Sequence, residues 1–190
     1  MGNTKKISTE EKWMQIYFEQ LKEERLIKEI IYQPEPIILS NRVVVPIHKQ
    51  LKTKVKIINK PILIEREYTM DFIIIWNTRN IFHKSISDDY YEEKLPLFFS
   101  NMNESYIEVK SNSRFDHNMK RFFLSRTQPI VWDKFNIYIN LIEVPNIFKN
   151  TFIPDKILHE FYYRKRTKKN NVGDKKYNFE YRTLKEFLNE

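Results

Sequence analysis

The order of apolar and polar positions predicts a mixed succession of helices and strands. In residues 10–25, Trp13, Ile16, Tyr17, Gln20 and Leu21 recur at three- and four-residue steps, the spacing of one helix face. Ser8 or Thr9 stands where a cap belongs, and Glu10 and Glu11 fall in the first turn, where the helix dipole favours acid. Residues 26–32 are rich in isoleucine and run into Gln33-Pro34-Glu35-Pro36, which stops any regular element. Residues 36–39 and 42–47 read as extended. In 52–57, Lys52, Lys54 and Lys56 alternate with Thr53, Val55 and Ile57, which predicts a strand with one basic face. Residues 68–76 and 105–110 are β-branched and aromatic runs and read as strands. Residues 114–126 predict an amphipathic helix with Phe115, Met119, Phe122 and Phe123 on its apolar face and Lys120, Arg121 and Arg126 on its basic one. Another strand follows over 135–144, ended by Pro145. Beyond it Phe148, Phe152, Ile157 and Phe161 suit a helical cover.

Two of these strands hold charge in unexpected places. Asp71 is the only charge in residues 68–76, and a carboxylate desolvated there without a partner is costly. In 105–110, Glu108 and Lys110 point to one face and Ile107 and Val109 to the other. On neighbouring strands, two carboxylates and a lysine form a small, hard, oxygen-rich site that suits Mg²⁺ or Mn²⁺. Residues 77–104 are an insertion between the two strands. Its acidic run, Asp88, Asp89, Glu92 and Glu93, reads as solvated loop, and residues 94–99 as a short packed segment.

Composition narrows the classes. At 190 residues, 41% of them hydrophobic with 14 Phe and 11 Tyr, the chain can bury a core and suits one domain. Only 2 Gly exclude a glycine-rich phosphate cradle, and the lack of Cys excludes disulfides and thiolate chemistry. No apolar run approaches a membrane span of about 18 residues. The N-terminal residues lack the apolar core of a secretory signal, so a cytoplasmic location without membrane partners is expected. The net charge of +8 points to a polyanionic partner. Part of that charge lies in a tail with Arg164, Lys165, Arg166, Lys168, Lys169, Lys175 and Lys176, followed by alternating Tyr177, Phe179 and Tyr181. Such a segment suits phosphate neutralisation with rings stacked on bases, or a solvated arm. The chain therefore divides into a domain over 1–163 and a basic C-terminal arm over 164–190, with residues 183–188 as an amphipathic turn docked on the body.

Asp71 followed by Glu108-Val109-Lys110 resembles the PD-(D/E)xK nuclease signature, with Met70 where that motif often has proline. The order helix, Asp strand, Glu-x-Lys strand, helix is similar as well. The resemblance covers roughly residues 8 to 145 and is closest to small phage-encoded endonucleases of the Holliday-junction-resolvase kind. It implies an α/β, restriction-endonuclease-like core, a mixed central sheet flanked by helices, with the segment after Gln33-Pro34 as first strand. It implies a Mg²⁺-dependent DNA endonuclease, encoded by a phage or mobile element in a bacterial host and acting on branched DNA, with a homodimer expected for paired cuts. Asp71, Glu108 and the main-chain carbonyl of Val109 would bind the metal, and Lys110 would position water. Glu11 would complete the catalytic set from the first helix, in preference to Glu10 and Glu19. Asn118, Lys120 and Gln128 are auxiliary candidates. Lys52, Lys54, Lys56 and the basic tail would contact DNA. The alternative is an idle nuclease fold used to bind nucleic acid or protein, as in a regulatory or counter-defence protein.

Overall fold

A computed structural model describes residues 7–77, 83–85, 98–111, 114–163 and 174–189. Helix α1 (Thr9–Glu23) is followed by β1 (Ile27–Tyr32), β2 (Ile37–Ser40), β3 (Val43–Gln50), β4 (Val55–Leu63), β5 (Arg66–Tyr68), β6 (Phe72–Trp76), β7 (His83–Ser85), β8 (Phe98–Ser100) and β9 (Glu104–Lys110). Helix α2 (Arg114–Phe122) continues through a π-helical turn (Phe123–Thr127) into α3 (Gln128–Phe135). Strand β10 (Ile139–Glu143), α4 (Val144–Asn150), α5 (Leu158–Tyr162) and α6 (Leu184–Leu188) complete the chain.

The fold is mixed α/β, built on a central sheet ordered β1-β6-β9-β10. Strand β6 runs antiparallel to β1 and β9, whereas β10 runs parallel to β9 and is reached through the α2–α3 crossover. The first strand of this sheet is β1, before Gln33-Pro34. The extended segment after the proline, β2, pairs with β5 outside the central sheet, which corrects the sequence expectation. The Gln33-Pro34-Glu35-Pro36 stop lies between them and releases the chain from the sheet.

Alternation assigns each strand two faces. Phe72, Ile74 and Trp76 of β6, with Ile107 and Val109 of β9, face the main core. Helix α1 covers them with Met14, Tyr17, Phe18 and Leu21, all fully buried. The buried stripe is thus rotated from the predicted one: Trp13 and Ile16 are only partly buried, and Met14 and Phe18 replace them. Tyr17 stacks on Phe152 at 4.5 Å, and its hydroxyl donates to Thr151 Oγ1 at 3.1 Å, so α1 and the segment after α4 are held by packing and one satisfied polar group. Trp76 Nε1 donates to Ser105 Oγ at 2.8 Å in the same way between β6 and β9. The opposite sheet face packs on Phe123 and Val131 of the crossover.

The crossover departs from the predicted helix face. Met119 and Phe122 are exposed, and the buried residue on their turn is Lys120, drawn inward by an ion pair with Glu143. The extra residue of the π-helical turn then brings Phe123 and Thr127 inside. Among the described residues, no helix is long and apolar enough to cross a membrane.

The described part of the tail, residues 174–189, does not stand off as an arm. Tyr177 stacks on Phe161 at 4.7 Å, and Phe179 and Tyr181 lie edge-on to Tyr162. Leu184 and Phe187 of α6 are buried in the main core. Phe187→Ala is expected to destabilise the fold by about 3 kcal/mol in denaturant unfolding, while exposed Leu188→Ala changes it by under about 0.5 kcal/mol. A neutral Phe187→Ala would contradict the docking of the tail.

Candidate active site

The sheet register alone brings the predicted carboxylates together. Asp71 lies one residue before β6, and Phe72 pairs with Ile107. One further antiparallel step sets Asp71 opposite Glu108, both on the face away from the main core. The backbone holds Asp71 from two sides: its N–H donates to the Ile107 carbonyl at 3.0 Å, and its carbonyl accepts from Gln33 N–H at 2.9 Å. Because β6 starts only at Phe72, the next free N–H on β9 has no strand partner there. Asp71 Oδ2 takes it, accepting from Val109 N–H at 2.8 Å. Asp71 Oδ1 has no hydrogen bond among the described residues, although Asp71 is only 5% exposed.

Glu108, 6% exposed, is held at both oxygens. Oε2 accepts from the Tyr68 hydroxyl at 2.6 Å, and Oε1 pairs with Lys110 Nζ. Glu143 of β10 pairs in register with Lys110 and carries an ion pair with Lys120 of α2, so a second lysine–glutamate pair sits beside the first. Burial first, then the Glu108 charge, pushes the Asp71 carboxyl up to about 7 from an ordinary 3.8; Glu11 adds to the rise, and the Val109 N–H and Lys110 oppose it. Glu108 and Glu11 thus both act on Asp71, against Lys110. Burial and the Glu108 and Asp71 charges likewise raise the Tyr68 hydroxyl, which keeps it a donor.

Glu11 enters from the start of α1. Its backbone N–H donates to the cap Ser8 Oγ at 3.1 Å, and its carboxylate accepts from Ser8 Oγ at 2.9 Å and from the Tyr32 hydroxyl at 2.8 Å. Tyr32 in turn accepts from Gln33 Nε2 at 3.0 Å. Helix capping and an approach to Asp71 are thus combined in one side chain. Glu10 instead acts on Tyr177, and Glu19 accepts from Gln15, so neither faces the site.

The auxiliary residues lie elsewhere. Gln128 Oε1 accepts from Ile139 N–H at 3.1 Å and so fixes the start of β10, while Asn118 is exposed. Of the predicted DNA contacts, Lys56 lies on β4, but Lys52 and Lys54 precede it in a turn closed by Leu51 N–H on the Lys54 carbonyl at 2.8 Å. The three do not form one strand face, because the turn interrupts the alternation. Lys175 pairs with Glu180 at 2.5 Å, and Lys176 lies over the rings of Trp13, Phe161 and Tyr177 at 5.4 to 5.8 Å. With Tyr177, Phe179 and Tyr181 packed on Phe161 and Tyr162, this part of the tail lies on the body, which corrects its reading as a free stacking arm. Arg164, Lys165, Arg166, Lys168 and Lys169, and the acidic run 88–93, lie outside the described residues.

Sequence reasoning passed over Tyr68, Tyr32 and Glu143. Tyr68 is out of step with Asp71 in the alternation, and it reaches Glu108 only because β5 belongs to a different ribbon from β6. Glu143 was legible as the one acid in the predicted strand 135–144.

Comparison with protein-family models, with curated proteins and with solved structures finds no match to this chain. The donor chemistry fits a hard cation: one buried Asp71 oxygen has no hydrogen bond among the described residues, and the Glu108 carboxylate lies beside it. Among the described residues, no set of three or more His, Asp or Glu side chains could hold a metal by itself, but Mg²⁺ uses one or two carboxylates and completes its shell with waters and substrate oxygens.

A carboxyl group with a higher pKa folded than unfolded binds protons more tightly in the fold. Its contribution is full below the unfolded value and lost as pH rises through the folded one. In chelator, the wild-type protein is therefore expected to lose stability, on the order of a few kcal/mol, between about pH 4 and pH 7. Asp71→Asn should flatten that loss, and Mg²⁺ should raise the melting temperature of wild type at pH 8 but not of Asp71→Asn. Equal pH profiles of the two proteins would show that Asp71 is not the strained group.

Proposed function

We propose that the chain is a metal-dependent DNA endonuclease of the PD-(D/E)xK kind, with the β1-β6-β9-β10 sheet as a restriction-endonuclease-like core. One observation carries the reading: Asp71, one residue before β6, is buried beside Glu108 of the antiparallel β9, with Lys110 paired to Glu108. Two carboxylates so placed repel when both are ionised, and Lys110, paired to Glu108, opposes the rise at Asp71 without cancelling it. In this reading Asp71 Oδ1, Glu108 and the Val109 carbonyl would hold Mg²⁺ or Mn²⁺. The ion would supply Lewis-acid polarisation of the scissile phosphate and acidify nearby water.

The chain's own groups do the rest. Val109 N–H fixes one Asp71 oxygen and leaves the other without a hydrogen bond among the described residues. The Tyr68 hydroxyl sets the Glu108 carboxylate plane, so Lys110 is presented at a fixed position on its other oxygen. Lys110 Nζ, a strong donor, orients the attacking water and stabilises negative charge as it develops on phosphorus. Glu11, tied to Tyr32, adds a further acceptor at the rim. Attack in line with the 3′-oxygen leaves a 5′-phosphate and needs no covalent intermediate. The idle-fold alternative draws on the fact that both Glu108 oxygens already have protein partners.

Linear, nicked and four-way DNA incubated with Mg²⁺ test the proposal. Cleavage should require the ion, fall by at least roughly a hundredfold in Lys110→Ala and Asp71→Asn, and fall less in Tyr68→Phe. Cleavage that survives Asp71→Asn would sink the mechanism. Metal-independent DNA binding with no cleavage of any substrate would favour the idle fold.

A further inference from the structure

Strands β3 and β4 form a two-stranded antiparallel ribbon that the central sheet does not include. Every residue of β4 and all but Val45 of β3 are exposed, so neither face is covered. Its charge is one-sided. Between residues 36 and 64 there are Arg42, Lys49, Lys52, Lys54, Lys56 and Lys60, and no Asp or Glu.

The register sorts these charges onto one face. Lys49 pairs directly with Lys56, Ile47 with Ile58, and Val45 with Lys60. Cross-strand partners share a face, so Lys49, Lys56 and Lys60 project together, with Ile47 and Ile58 between them. The other face, with His48 paired to Ile57, Pro46 to Asn59 and Gln50 to Val55, carries no Lys, Arg, Asp or Glu. A hollow of about 540 Å³ beside the ribbon is lined from both faces, by Ile47, Lys49, Ile58 and Lys60 of the basic one and His48 and Asn59 of the other. Like charges directly opposite each other destabilise a ribbon, and a bare two-stranded ribbon is marginal in water. Both features are relieved by an extended anion laid along the lysine face. A second copy of the same ribbon would bring lysines against lysines.

We propose that the lysine face of the β3–β4 ribbon is a grip for duplex DNA, with Lys49, Lys56 and Lys60 on phosphates and the ribbon laid in a groove. A two-stranded ribbon fits the major groove, about 12 Å wide, and strands of this length reach roughly 27 Å. The root of the ribbon leads to the candidate active site: β4 passes through residues 64–65 into β5, whose Tyr68 holds Glu108. This grip deepens the nuclease reading, which supplies the choice of DNA among polyanions.

The test is duplex binding in chelator, where no cleavage occurs, followed by fluorescence anisotropy across a salt series. The Lys49→Gln, Lys56→Gln, Lys60→Gln triple variant should bind at least roughly tenfold more weakly, and its salt slope should fall by about 2.7, at about 0.9 for each phosphate no longer neutralised. A control triple at exposed Lys149, Lys156 and Lys185, also to Gln, makes the same change in net charge and should stay within about twofold of wild type. Circular dichroism confirms that each variant is folded. Equal weakening by both triples, wild-type affinity in the ribbon triple, preference for single-stranded DNA, or self-association through the ribbon without duplex binding would each overturn the grip. A ribbon triple that loses binding while Asp71→Asn still cleaves removes the nuclease mechanism and keeps the grip. Normal binding by the ribbon triple with Asp71-dependent cleavage does the reverse.

Discussion

The structure turns on a buried carboxylate held at a strand end. Strand β6 stops one residue short of where β9 needs its next partner, and the Asp71 side chain takes the Val109 N–H in place of backbone. That hydrogen bond satisfies a main-chain donor that would otherwise be lost in the interior. It also commits a negative charge to a desolvated position opposite Glu108, which raises the Asp71 carboxyl to about 7. The same contact thus completes the sheet and creates an electrostatic demand that a cation would meet.

Around that point the molecule is layered so that the two sheet faces do different work. The face under α1, α4 and α5 is filled with aromatic rings in contact, including Tyr17, Phe148 and Phe161. Dense packing on that side fixes the strand register, and the register sets which side chains meet on the other. There, Tyr68, Glu108, Lys110, Glu143 and Lys120 join neighbouring elements through charged and polar contacts. The Lys120–Glu143 pair has a fold-level consequence too, because it turns the α2 surface so that Phe122 lies outside beneath the Arg66 and Arg126 guanidinium groups.

Much of the central sheet could be read from the chain, because residues 68–76 and 105–110 alternate cleanly and carry their charges at positions that alternation exposes as exceptions. The strand pair, the shared face of Glu108 and Lys110, and the capped first helix with Glu11 follow from periods of 2 and 3.6. Other features depended on long-range contacts. The Tyr68–Glu108 hydrogen bond spans 40 residues and depends on β5 leaving the sheet. Tyr177, Phe179 and Tyr181 looked like a stacking arm because alternation beside lysines is the same pattern whether the rings face bases or Phe161 and Tyr162. Lys52, Lys54 and Lys56 looked like one strand face because nothing local marks the turn at 51–54, which holds neither glycine nor proline.

The central claim is that Asp71, Glu108 and Lys110 form one coupled site completed by a divalent cation. The most direct measurement is the titration of Asp71 itself, followed by the carboxyl-carbon resonance of isotope-labelled protein with and without Mg²⁺. A midpoint near 7 is expected in chelator, with a marked fall when Mg²⁺ is added. A midpoint near the ordinary 3.8 in both conditions would show an unstrained carboxylate that merely caps a strand, and would contradict the coupled site.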